Sequence, residues 1–201
     1  HWFYNAKFRN RARRPVDHRL YLPQCPMSVC DISRQPCDKY RPRILTLSSG
    51  LDVWDGLDIV VCAVNKFADI TNGPVPELII GGVPAEQVDH IHKNIVARYV
   101  TEPELCVQVK CYNSTADLMQ DLSVCSLCVL PSRAEPYGCR GLLALSAGIP
   151  TLMSENSALA PIIRRLTSDP DYFLVPVKGL SNSVRQDANE FRERIMYVLN
   201  D

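Results

Sequence analysis

No stretch of this chain approaches the ~20 consecutive apolar residues that a membrane-spanning helix needs, and 22 basic residues are matched by 22 acidic ones, so no net charge remains. The first absence excludes a transmembrane span within these residues, and the second argues against a nucleic-acid partner. An initiating methionine is missing too, since residue 1 is His1. The chain is therefore read as a piece of a longer protein, and what stands upstream stays open. Metal-site spacing is absent as well. His18, Cys25, Cys30 and Cys37 contain no Cys-x-x-Cys knuckle, and His90 and His92 stand two apart on an expected helix, where they cannot share a face. Cys125 and Cys128 have the knuckle spacing but join a helix end to a strand, a core position and not a redox pair.

What is present suits one compact domain with a tail: 201 residues, 46% of them hydrophobic. Neutrality hides an asymmetry. Near the start Lys7, Arg9, Arg11, Arg13, Arg14 and Arg19 face only Asp17, which leaves the body mildly acidic. The cluster from Arg11 to Arg14 is read as a solvated face in preference to a phosphate patch or a processing site. Cysteine occurs nine times, an odd number, and Cys62, Cys106, Cys111, Cys125, Cys128 and Cys139 lie in or beside apolar runs. Free cysteine in such runs behaves as a small hydrophobe, so a reduced, intracellular protein is expected.

Residues 1–42 lack periodicity and carry Pro15, Pro23, Pro26, Pro36 and Pro42; they read as a basic, proline-punctuated lead-in to a domain spanning 43–201. From Arg43 onward strands and helices alternate. Ile44 to Leu47 reads as a strand, followed by a helix whose apolar positions include Leu57, Val60, Val61, Val64 and Phe67, with Asp55 as its cap. Leu78 to Ile80 is a second strand, and Pro84 opens a helix with Val88, Ile91, Ile95 and Val96 on one face. Leu105 to Val109 is a third, before a capping box of Ser114 and Asp117. Ser126 to Leu130, Pro150 to Met153 and Tyr172 to Val175 complete the strands; helices start at Cys139, Ala158 and Ser183. The alternation predicts an α/β fold, a doubly wound parallel six-stranded sheet of Rossmann-like type with strand order 3-2-1-4-5-6. Its crevice opens between the loops after strands 1 and 4, where the helix from Cys139 points its free amides.

That loop and helix carry the most specific signal, Pro131-Ser132-Arg133-Ala134-Glu135-Pro136-Tyr137-Gly138 running into a helix that ends Ala147-Gly148-Ile149-Pro150. The stretch resembles the donor-site signature of the family 4 retaining glycosyltransferases of GT-B fold, in which Glu-Pro-Phe-Gly leads into a helix with a second Glu eight positions after the first. The resemblance covers roughly Arg43 to Asp201, and Tyr21 to Gln24 fall where the family has its interdomain linker. It implies a nucleotide-sugar donor domain, the C-terminal half of a GT-B enzyme, with Glu135 against the donor sugar and the amides of Tyr137, Gly138 and Cys139 toward its phosphates. In the loop after the first strand it places Ser49 and Gly50 at the donor.

Three positions depart from the family. Gly50 stands where the family has Arg, Asp55 where it has Lys, and Leu143 where it has the ribose-binding Glu. Two unit charges ~4 Å apart interact by about 4 kcal/mol at a partly buried site, so exchanging Lys for Asp turns attraction into repulsion. A micromolar site would weaken to millimolar or worse, since each 1.4 kcal/mol is about tenfold. The expectation is a degenerate donor domain, a pseudoenzyme on its own, that binds nucleotide-sugar weakly, uses no cofactor or metal and works beside other domains of a longer chain. Completed by an acceptor half, it would transfer sugar with retention and without metal. Two alternatives are a non-enzymatic interaction module of a signalling or scaffold protein, and an active half that uses an unusual donor. Gly50→Arg, Asp55→Lys and Leu143→Glu together are expected to rebuild the site in part, provided that Gly50 does not need positive φ, with Leu142 and Leu145 facing the sheet and Leu143 the crevice.

Overall fold

The computed structural model describes residues 32–35, 41–50, 52–71, 73–179 and 184–200. The expectations for Arg11 to Arg14, for Tyr21 to Gln24 and for His18, Cys25, Cys30 and Cys37 lie outside them.

Six short apolar runs form parallel strands: β1 (Arg43–Leu47), β2 (Glu77–Gly81), β3 (Cys106–Lys110), β4 (Leu127–Leu130), β5 (Thr151–Ser154) and β6 (Leu174–Val175). They are ordered β3-β2-β1-β4-β5-β6, as the alternation predicts. Strands this continuous in apolar residues need cover on both faces. Period-two alternation divides them between two cores. Ile44 joins one with Leu78, Ile80, Leu127 and Val129, and its neighbour Leu45 joins the other with Ile79, Cys128, Leu130 and Met153.

The first core is covered by α1 (Leu57–Ile70), by a broken helix α2 (residues 88–99) and by the closing helix α6 (Val184–Asn200). The second is covered by α3 (Thr115–Val124), α4 (Cys139–Ser146) and α5 (Ala160–Leu166). The capping box of α3 forms as read, with Ser114 Oγ accepting from the Asp117 amide at 3.2 Å and the Asp117 carboxylate accepting from the Ser114 amide at 3.1 Å.

Two local readings are corrected. Asp55 does not cap α1; Gly56, in the left-handed region at φ 71°, holds that position, and Asp55 ends a 3-10 turn (Val53–Asp55) whose own cap is Asp52. Helix α2 is not continuous either. It runs through Val88–Ile91, a π-helical stretch His92–Val96 and Ala97–Tyr99. Within it Asn94 Nδ2 donates to the His90 carbonyl at 3.1 Å, the carbonyl that faces the Asn94 amide in an α-helix. Part of the lead-in also belongs to the packed body. Ile32 packs on the second core, and Arg34 donates to the carbonyls of Gly148 at 2.9 Å and Cys125 at 2.6 Å.

Candidate functional site

In this strand order the loops after β1 and β4 meet at the carboxyl edge of the sheet. Close backbone approach makes the meeting tight. Gly56 lies so near the Pro131 carbonyl that a Cβ would collide with it. The Arg133 amide donates to the Trp54 carbonyl at 2.8 Å, and the Arg133 guanidinium grips both Asp58 oxygens at 2.8 Å each and the Val53 carbonyl at 2.7 Å. This bidentate pair is buried, the Arg133 side chain being 3% exposed, and it fixes the first loop to the fourth.

Beside it lies an ionic cluster centred on Arg140, a residue that the reading of the sequence passed over. From the first turn of α4 its guanidinium reaches Asp55 at 2.9 Å, Glu135 at 3.4 Å, the Leu47 carbonyl at 2.9 Å and Ser132 Oγ at 3.5 Å. A signal was available. A cation in the first turn opposes the helix dipole and needs carboxylates to hold it, and Asp55 and Glu135 had already been singled out. Asp55 is therefore not a bare negative charge at the crevice. Besides Arg140, its carboxylate accepts from Ser48 Oγ at 2.9 Å, Ser49 Oγ at 3.1 Å and the Ser49 amide at 3.2 Å.

Glu135 is buried, and Ser157 Oγ donates to it at 2.8 Å on the side away from Arg140's Nε contact at 3.4 Å. Its backbone bridges to the segment before α5, where the Ala158 amide donates to the Glu135 carbonyl at 2.9 Å. Tyr137 is 53% exposed, and Cys139 is exposed at the start of α4. Gly138, at φ 70°, caps that helix, and a Cβ on it would lie 2.5 Å from Leu159 Cγ. The position takes glycine alone on both counts. The amides of Tyr137, Gly138 and Cys139 form no hydrogen bond to another of the described residues.

The structure weighs against two of the three rebuilding substitutions and changes the setting of the third. Gly50 has φ 70°, and a Cβ there would sit 2.6 Å from Ile91 Cδ1, so Arg at position 50 is strained. Lys at position 55 would put a second cation beside Arg140 and leave Glu135 as its only counter-charge in the cluster. The buried stripe of α4 is Gly141, Ala144 and the following Ala147, small residues that bring the helix close to the sheet, and not Leu142 and Leu145. Leu142, Leu143 and Leu145 flank it, half-buried against the second core.

The remaining candidates resolve as structure. Cys125 and Cys128 are fully buried, and Cys125 Sγ donates to the Leu127 carbonyl at 3.0 Å. Burial pushes the Cys128 thiol well up, with Cys125 and Glu135 adding to the shift and Arg140 opposing it, so Cys128 is no thiolate nucleophile. His90 faces Asn94, and no group of three or more metal-ligating side chains occurs among the described residues. No described helix is long and apolar enough to cross a membrane.

The comparisons agree with this fold. A family described as Family 4 Glycosyltransferase in conflict systems matches residues 4–201. No curated protein matches in sequence. Among solved structures, a glycosyltransferase from Rickettsia africae is 16% identical with TM-score 0.59, over 88% of this chain and 45% of that one. The C-terminal domain of a glycosyl transferase group 1 family protein, LpcC, from Francisella tularensis is 12% identical with TM-score 0.56, over 84% and 96%. The Anabaena protein HepE, solved with UDP and glucose, is 17% identical with TM-score 0.58, over 81% and 40%. This chain thus spans less than half the length of the first and third, and nearly all of the isolated C-terminal domain.

Proposed function

The chain belongs to the family 4 glycosyltransferases of conflict systems, and from that membership we propose that it is a donor-type GT-B half whose nucleotide-sugar site is degenerate. The observation that carries this reading is the state of Arg140. Of the two cations where these loops meet, Arg133 is held by Asp58, and Arg140 is already held by Asp55 and Glu135. A diphosphate arriving there meets two carboxylates and one guanidinium, a local charge of −1. The family's Arg and Lys are replaced by Gly50 and Asp55, and its ribose acceptor by the half-buried Leu143. The α4 amides supply the attraction that is left.

The domain then binds nucleotide-sugars weakly and is silent in transfer by itself. In a longer chain whose other half supplied the acceptor, the reaction class would be metal-independent glycosyl transfer with retention, with Glu135 at the donor. Exposed Val53, Trp54 and Tyr137 on these two loops support cover by another domain, as does the fraction of the Rickettsia and Anabaena relatives that the chain spans. Free thiols at Cys62, Cys106, Cys111, Cys125, Cys128 and Cys139 support a reducing, intracellular setting.

Thermal unfolding with added ligand tests the reading. A ligand at 100 times its Kd stabilises a fold by about 2.7 kcal/mol, a shift of several degrees in a domain of this size. Millimolar uridine and guanosine diphosphate sugars are expected to move the midpoint by less than about 1 °C. A saturable shift at micromolar concentration would show the site to be competent.

A further inference from the structure

Four donors from three residues converge on one carboxylate. Ser48 Oγ, Ser49 Oγ and the Ser49 amide lie 2.9, 3.1 and 3.2 Å from Asp55 Oδ2, and Arg140 Nη1 lies 2.9 Å from Oδ1. Two hydroxyls, a backbone amide and a guanidinium are the donor types that phosphate sites assemble. The Asp55 side chain is 12% exposed, so the set is nearly closed over it. Arg140 does not depend on Asp55 for its place, because the Leu47 carbonyl and Glu135 hold it as well. Ser48 Oγ is fixed from its other side by the Gly50 amide at 3.0 Å. Ser48 and Arg140 thus have partners besides the carboxylate that fills the set.

We propose that Ser48, Ser49 and Arg140 form a phosphate site that the chain's own Asp55 occupies as an internal stand-in, so that withdrawal of this carboxylate opens the site to a phosphate-bearing anion. The proposal rests on the degenerate-donor reading and adds a second cause: besides the replaced Arg and Lys, the anion position is itself taken. Removing Asp55 changes the charge of the cluster with Glu135 and Arg140 from −1 to 0 and takes away the acceptor that Ser48, Ser49 and Arg140 share. Asp55 ends the 3-10 turn (Val53–Asp55), whose Val53 and Trp54 are exposed, so a change at that position disturbs little of the buried core.

Calorimetric titration of inorganic pyrophosphate into the 201-residue chain at low salt tests this, with the parent compared against Asp55→Ala and Asp55→Asn. Asp55→Ala is expected to bind at least tenfold more tightly than the parent, with Asp55→Asn gaining less because its amide still fills the space. The gain should vanish in Asp55→Ala combined with Arg140→Gln. Folded Asp55 variants that bind no better than the parent overturn the proposal, as does a gain that persists without Arg140. Loss of folding in both single variants also overturns it, since a carboxylate the fold requires cannot be a displaceable occupant. Failure here leaves the degenerate-donor reading intact; that reading is decided by nucleotide-sugar binding to the parent alone.

Discussion

Arg133 shows what a single residue contributes where two loops meet. Its side chain is 3% exposed, and its two terminal nitrogens bond to Asp58 and the Val53 carbonyl, while its Nε is buried without a hydrogen-bond partner. Removing one member of a buried pair leaves the other uncompensated and costs ~3–5 kcal/mol. Asp58 keeps some exposure, so Arg133→Met is expected near the lower end, about 3 kcal/mol, read from the urea midpoint at unchanged slope. A loss under about 1 kcal/mol would mean that the loops hold together without the pair. At this scale the sequence was legible where a residue carries its own signal. Glu135, Tyr137 and Gly138 were found by motif, and they lie in the loop that leads from β4 to the start of α4. Asp58 was not legible as Arg133's partner, because nothing local links residues 75 positions apart. Asp55 was judged by its own charge, and the Arg140 contact that neutralises it exists only after α4 has packed.

Elements were easier to read than their fine geometry. Buried parallel strands must be apolar throughout, and the helices between them must show a 3.6-residue stripe, so the alternation itself encodes the topology. Ends were shifted by a residue or two because fraying and capping there depend on neighbours. The π-helical stretch of α2 escaped notice because a one-residue shift in hydrogen-bond register leaves the apolar stripe nearly unchanged. The capping box of α3 was visible because both partners lie within one turn. Replacing Ser114 with Ala should cost about 1 kcal/mol by chemical denaturation, with little change in overall helicity. No measurable loss would show that solvent satisfies the first turn equally well.

At the scale of the whole molecule the cysteines serve the two cores. Cys62 lies in the first, Cys125 and Cys128 lie in the second, and burial pushes the Cys62 and Cys128 thiols up. Alkylation of the native protein followed by peptide mapping should therefore label Cys139 first, Cys106 and Cys111 more slowly, and Cys62, Cys125 and Cys128 only after denaturation. Recovery of any of these six as a disulfide would overturn the reduced, intracellular proposal.

The packing of α6 against α1 has a consequence in time. Ala188, Phe191 and Ile195 share the first core with residues of α1 such as Val60, Val64 and Phe67, so the last helix of the domain covers the first. A ribosome adds roughly 5–20 residues each second, and more than a hundred residues separate the two helices. During synthesis the apolar flank of α1 therefore waits on the order of ten seconds for its cover. For that interval the growing chain carries an uncovered hydrophobic surface of the kind that chaperones bind, and completion of α6 is the step that releases it.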